Sequence, residues 1–82
     1  MENKIFKVEV RNQARPRLSG HLILAESEQD AIRIQAKYKI GNPMGGQAEL
    51  KRIFPATQRE ISNAKNGANS IWFEEEGELK HA

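Results

Sequence analysis

Near the start of the chain Phe6, Val8 and Val10 alternate with Lys7, Glu9 and Arg11, the period of two that suits a strand with one buried and one wetted face. Such a strand is stable only as part of a sheet with a layer packed on its apolar side. Ile5 falls with the polar set, so either the strand starts after it or its outer face meets something apolar near that end, and we read it as the frayed start of the strand. The segment NQARPRLSG then loses all apolar periodicity and holds Pro16 and Gly20, which predicts a long loop joining an antiparallel hairpin. The second strand is expected at His21 to Ala25.

Ser27 is placed to cap a helix, since its hydroxyl can accept a free first-turn amide, and Glu28 and Asp30 put negative charge at the positive end of the dipole. The spacing predicts a helix from Glu28 to Lys39. Ala31, Ile34 and Tyr38 form its apolar stripe, Ile32 and Ala36 widen it, and Arg33, Gln35 and Lys37 take the wetter side. Gly41 is expected as the left-handed cap, with Pro43 as the stop. Gln47 to Phe54 reads as a third strand in which Ile53 and Phe54 break the alternation, so a bulge or an early end is expected near Arg52. Thr57-Gln58-Arg59-Glu60 matches a capping box for a short helix to about Lys65, with Asn66-Gly67 as its exit. Ser70 to Glu75 is the last clear strand, and Glu76-Gly77 turns the chain toward a brief strand at Glu78 to Lys80, with residues 78–82 prone to fray.

The expected fold is therefore α+β: a small antiparallel sheet packed by one main and one short helix, in the order strand, strand, helix, strand, helix, strand. With 82 residues the chain supports one domain and one core. A hydrophobic content of 38% permits that core, and a charged fraction of 29% with a net charge of only +2 is not the composition of a disordered tail. There is no cysteine, which excludes disulfides and thiolate metal sites and fits a reducing compartment. No apolar run approaches the ~20 residues of a membrane helix, and no signal-peptide core follows Met1, so we expect a cytoplasmic protein.

Charge is polarised along the chain. Residues 1–65 hold twelve Lys and Arg against seven Asp and Glu, whereas residues 66–82 hold one Lys against four Glu. Arg11, Arg15 and Arg17 form the densest basic group and can present guanidinium forks to carboxylates or phosphates, or simply be solvated. Glu74, Glu75 and Glu76, with Glu78, form an acidic strand suited to a basic partner or to keeping an edge soluble. Trp72 and Phe73 face opposite sides of that strand, and Trp72 is either a core residue or an interface anchor. The candidate partner-binding set is Arg11, Arg15, Arg17, Trp72, Glu74, Glu75 and Glu76.

Enzymatic chemistry is poorly represented. His21 opens a strand and His81 lies next to the last residue, with no paired-carboxylate spacing and no metal-ligand motif around either. Met44-Gly45-Gly46 lacks the spacing of a phosphate loop and reads as a connection. We expect no catalytic residues, no metal and no cofactor. Nucleic-acid binding is the alternative function and rests on the arginines alone, because no signature of a known nucleic-acid module is present.

In order and size, the opening KIFKVEV and GHLILA, the capped helix SEQDAIRIQAKYKIG and the closing SIWFEEEG resemble the small accessory and inhibitor proteins of bacteriophages and mobile elements, anti-CRISPR proteins among them. That resemblance implies stoichiometric inhibition, in which the protein blocks a host nuclease, a ribonucleoprotein or its nucleic-acid path by surface complementarity. A protein partner is expected, and a homodimer through the sheet is open.

Overall fold

The computed structural model describes residues 3–12, 18–41, 48–65 and 71–81. Its elements are β1 (Lys4–Asn12), β2 (Leu18–Ala25), α1 (Glu28–Tyr38), β3 (Ala48–Pro55), α2 (Gln58–Lys65), β4 (Ile71–Glu75) and β5 (Glu78–His81). The strands form one five-stranded sheet in the order β3-β1-β2-β4-β5, and the fold is α+β. The sheet is mixed: β1 is antiparallel to both neighbours and β4 to β5, but β2 and β4 run parallel. The expectation of a wholly antiparallel sheet is corrected at that one pair. It arises because α2 returns the chain across the sheet as a crossover, and a crossover delivers a strand parallel to the one it left.

The two helices lie on opposite faces, and connectivity explains why. From β2 the chain crosses over β1 to reach β3, and from β3 it crosses back over β1 and β2 to reach β4. Two crossovers of the same hand that travel in opposite directions must pass on opposite faces. One face packs Phe6, Val8, Ile23 and Ala25 against Ala31 and Ile34 of α1, and the other packs Leu22 and Ile71 against Ala64 of α2. Ile5 belongs to this second cluster together with Leu24 and Ala56. It is therefore a paired residue of β1 under α2, not a frayed end, and its amphipathic misfit is the mark of a sheet covered on both sides.

Several local expectations hold in detail. Ser27 Oγ accepts the Asp30 amide at 3.1 Å, and Thr57 and Glu60 form the reciprocal capping box, with Glu60 Oε1 accepting the Thr57 amide at 3.0 Å and Thr57 Oγ1 accepting the Glu60 amide at 3.2 Å. The register of β1 with β3 steps from Glu9↔Arg52 to Val10↔Leu50, so Lys51 is the extra residue of a bulge and returns Ile53 to the α1 face.

Other expectations are corrected. The left-handed cap of α1 is Lys39, with φ 52°, whose amide donates to Gln35 O. Gly41 is also at positive φ, 95°, but its role is close approach: a Cβ there would collide with Val10 Cγ2. Gln35 is buried, its Nε2 donating to Ile40 O at 3.1 Å, while Ala36 is exposed. The core stripe is thus Ala31, Ile34, Gln35 and Tyr38, and the amide enters it because a local carbonyl satisfies its donor. β2 begins at Leu18, three residues before the expected start. Ser19 and Gly20 conceal that extension, and the flexible Lys7 side chain lies over Gly20, its Cε 2.7 Å from where a Cβ would stand. The brief strand expected at Glu78 to Lys80 forms, and pairing with β4 extends it by one residue to His81. Pro43, Met44-Gly45-Gly46, Asn66-Gly67 and Ser70 lie outside the described residues.

Candidate functional site

The sequence-selected residues fall into two regions of different character. The first is built on Glu74, which alternation places on the α1 face of β4. Arg33 and Lys37 are one helical turn apart on α1, and Tyr38 follows, so all three reach the same carboxylate. Arg33 Nη2 donates to Glu74 Oε1 at 2.8 Å, Lys37 Nζ donates to Oε2 at 2.9 Å, and the Tyr38 hydroxyl donates to Oε2 as well. Asp30 Oδ1 holds the other side of Arg33, accepting from Nε at 2.9 Å and Nη2 at 2.8 Å.

The hydrogen bonds from Arg33, then Tyr38, then Lys37 pull the Glu74 carboxyl from 4.5 to about 2. The same carboxylate raises Arg33, Lys37 and Tyr38, so every member of the group is held in its native protonation state. Beside this group lies an open cleft of about 460 Å³ that includes Glu26, Asp30, Arg33, Phe73 and Glu75 in its lining. Arg33 lies there already paired with Asp30 and Glu74, so the cleft wall presents a bridged cation instead of an isolated one. Trp72, on the same face, is half-buried against the α1 core and meets the His81 ring edge-on at 5.1 Å and 61°. Glu75 forms an exposed ion pair with Lys80 at 3.0 Å, and Glu76, at φ 53°, is exposed in the turn with Gly77.

The second region is the β1–β2 end of the sheet. Arg11 is exposed and pairs across the ladder with Leu18, which is 46% exposed and, among the described residues, is the exposed large apolar side chain. Arg15 and Arg17 lie outside the described residues, within the segment 13–17 that joins these two strands. On the same face of the sheet Phe54 sits between two cations, with Lys7 Nζ 5.9 Å and Arg52 Cζ 5.4 Å from its ring centre. Lys7 also bridges to Glu60 at 2.7 Å and ties α2 to β1. That bridge, followed by the Thr57 amide, lowers the Glu60 carboxyl. Arg52 Nε lies 3.0 Å from Glu9 Oε1, an ion pair whose geometry leaves that buried oxygen without a hydrogen bond.

No family model, curated protein or solved structure matches this chain. Function must accordingly be argued from the surface itself. His21 is half-buried, bonded to Ser19 Oγ at 3.0 Å, and burial lowers its pKa from 6.5. Among the described residues no three His, Asp or Glu side chains converge as a metal site, and no helix is long and apolar enough to cross a membrane. Sequence reasoning missed Leu18, because a single leucine between Arg17 and Ser19 carries no period. It also missed the partners of Glu74, although the helical spacing of Arg33 and Lys37 was visible and marked a cationic stripe awaiting an acid.

Proposed function

We propose that the protein works by binding and not by turnover, with the β1–β2 end as the contact surface for an acidic protein partner. One observation carries this reading: Leu18, 46% exposed, lies directly across from exposed Arg11 at the end of the hairpin whose connecting segment supplies Arg15 and Arg17. Arginine is enriched at interaction hot spots, the exposed leucine offers apolar area to bury, and the charges steer encounter. The acidic strand is a weaker candidate because Glu74 is neutralised from within and Glu75 is paired. In its finer form the proposal is a cytoplasmic, phage-type inhibitor that blocks a host nuclease or ribonucleoprotein stoichiometrically, a reading supported by the small size and by the sequence's resemblance to such inhibitors.

Nucleic acid is the second reading, and the observation favouring it is Phe54 flanked by Lys7 and Arg52 on the face that also presents Arg11. Capture from bacterial lysate with and without nuclease, using the wild type, Leu18→Glu and the Arg15→Glu/Arg17→Glu double variant, separates the two. A discrete protein retained after digestion by the wild type and lost by both variants is the expected result. Recovery only of nucleic acid, with steep salt dependence, would put the second reading first. Capture unchanged by either variant would remove the β1–β2 end from consideration.

A further inference from the structure

The sheet has two outer edges, and they differ as templates for another strand. β3 carries the Lys51 bulge and ends on Pro55, which has no amide proton, and both features block strand addition. β5, with the sequence ELKH, has neither. Glu75 and Glu78 flank the Glu76-Gly77 turn and stand directly opposite one another, a like-charge pair that weakens the hairpin. Lys80 answers Glu75 at 3.0 Å, while Glu78 has no ion-pair partner among the described residues. In a hairpin with a two-residue turn the flanking residues exchange both backbone bonds, so Leu79, one step further, directs its N–H and C=O away from β4 toward the outer edge of the described sheet.

We propose that β5 pairs with β5 of a second copy, antiparallel about a two-fold axis at Leu79, joining two five-stranded sheets into one. In this register Leu79 exchanges both backbone bonds with the second copy's Leu79, and Glu78 stands opposite the second copy's Lys80, twice over by symmetry. The second copy's Lys80 is the counter-charge that Glu78 lacks, and it arrives beside the Glu75/Glu78 repulsion. Leu79, half-buried against the α1 core, meets its copy on the axis. Shifting the axis to Lys80 would set the two ammonium groups face to face, so charge selects the Leu79 register. The interface involves no residue of the β1–β2 end and stands or falls independently of the function proposed above.

Sedimentation equilibrium of the full chain tests it. The wild type is expected to dimerise with concentration. Glu78→Lys and Lys80→Glu each turn two attractive cross-strand pairs repulsive and are expected to weaken the dimer about tenfold or more. The charge-swapped double variant Glu78→Lys/Lys80→Glu is expected to dimerise again. Mixing the two single variants provides a second reading, because one then presents only lysines and the other only glutamates at these positions, and a heterodimer should form where neither variant self-associates. That complementation also shows that the single variants are folded. A wild type that stays monomeric, a dimer insensitive to both reversals, or a mixture that fails to associate would each overturn the proposal.

Discussion

Glu74 and Arg11 are both charged residues on strands of one sheet, yet the fold uses them in opposite ways. Glu74 is enclosed by Arg33, Lys37 and Tyr38 from the helix above it, and its charge serves to hold α1 on β4. Arg11 stands exposed across from an exposed leucine, and no described residue bridges to it. The lesson is that charge density along a sequence does not measure charge available to a partner. A charged side chain under a helix is answered from within, while one at an open strand end remains free for encounter.

The comparison can be broken most forcefully from the core side. Ile34 lies 2% exposed beneath the helix that carries Arg33, Lys37 and Tyr38. Its replacement by alanine should cost about 2–5 kcal/mol of folding free energy in a denaturant titration, through lost burial and the cavity left behind. At the other region, Leu18→Glu should leave the unfolding midpoint nearly unmoved and lower partner affinity on the order of tenfold to a hundredfold by titration calorimetry. A large stability loss from Leu18→Glu would make this leucine a packing residue and erase the contrast.

Smaller effects sharpen it. Ser27→Ala removes the acceptor for the Asp30 amide at the start of α1 and should cost about 1 kcal/mol, seen as a lower midpoint with partner binding intact. The least effect concerns Glu74 itself and is read from pH. Its carboxyl titrates at about 2 in the fold against an ordinary 4.5, so its contribution is complete above about pH 4.5 and drains away as pH falls toward 2. Glu74→Gln removes the titrating group, so the acid limb of stability should be shallower than in the wild type. Equal slopes would mean that the group contributes nothing to holding the helix. His21 acts at higher pH with the same sign: burial lowers it below 6.5, so protonation below that pH opposes the fold.

The candidate site was legible only where its logic was local. Arg11 on the wet face of β1 followed from alternation, and Ser27 and Thr57 followed from cap chemistry, since each depends on residues a few positions away. The isolation of Leu18 was not legible, because Ser19 and Gly20 hide the strand that holds it. Nor was the enclosure of Glu74, whose partners are separated from it by 36 to 41 positions in the chain. Trp72 resolved as a half-buried neighbour of the α1 core and of His81, a question of cross-strand register that one strand's own residues do not decide.

By itself the sequence determined the elements: the alternating strand at Phe6 to Val10, the capped helix after Ser27, the break in alternation near Arg52 and the capping box at Thr57 are all short-range matters of sterics and amide satisfaction. Tertiary structure alone decided that β2 and β4 lie parallel, that Ile5 is covered by a second layer, that Gln35 is buried and Ala36 exposed, and which charges remain open to a partner. Those outcomes depend on which face each crossover passes and on the alignment of strands far apart in the chain, and burial and pairing at that range are set by the assembled sheet, not by any window of residues along it.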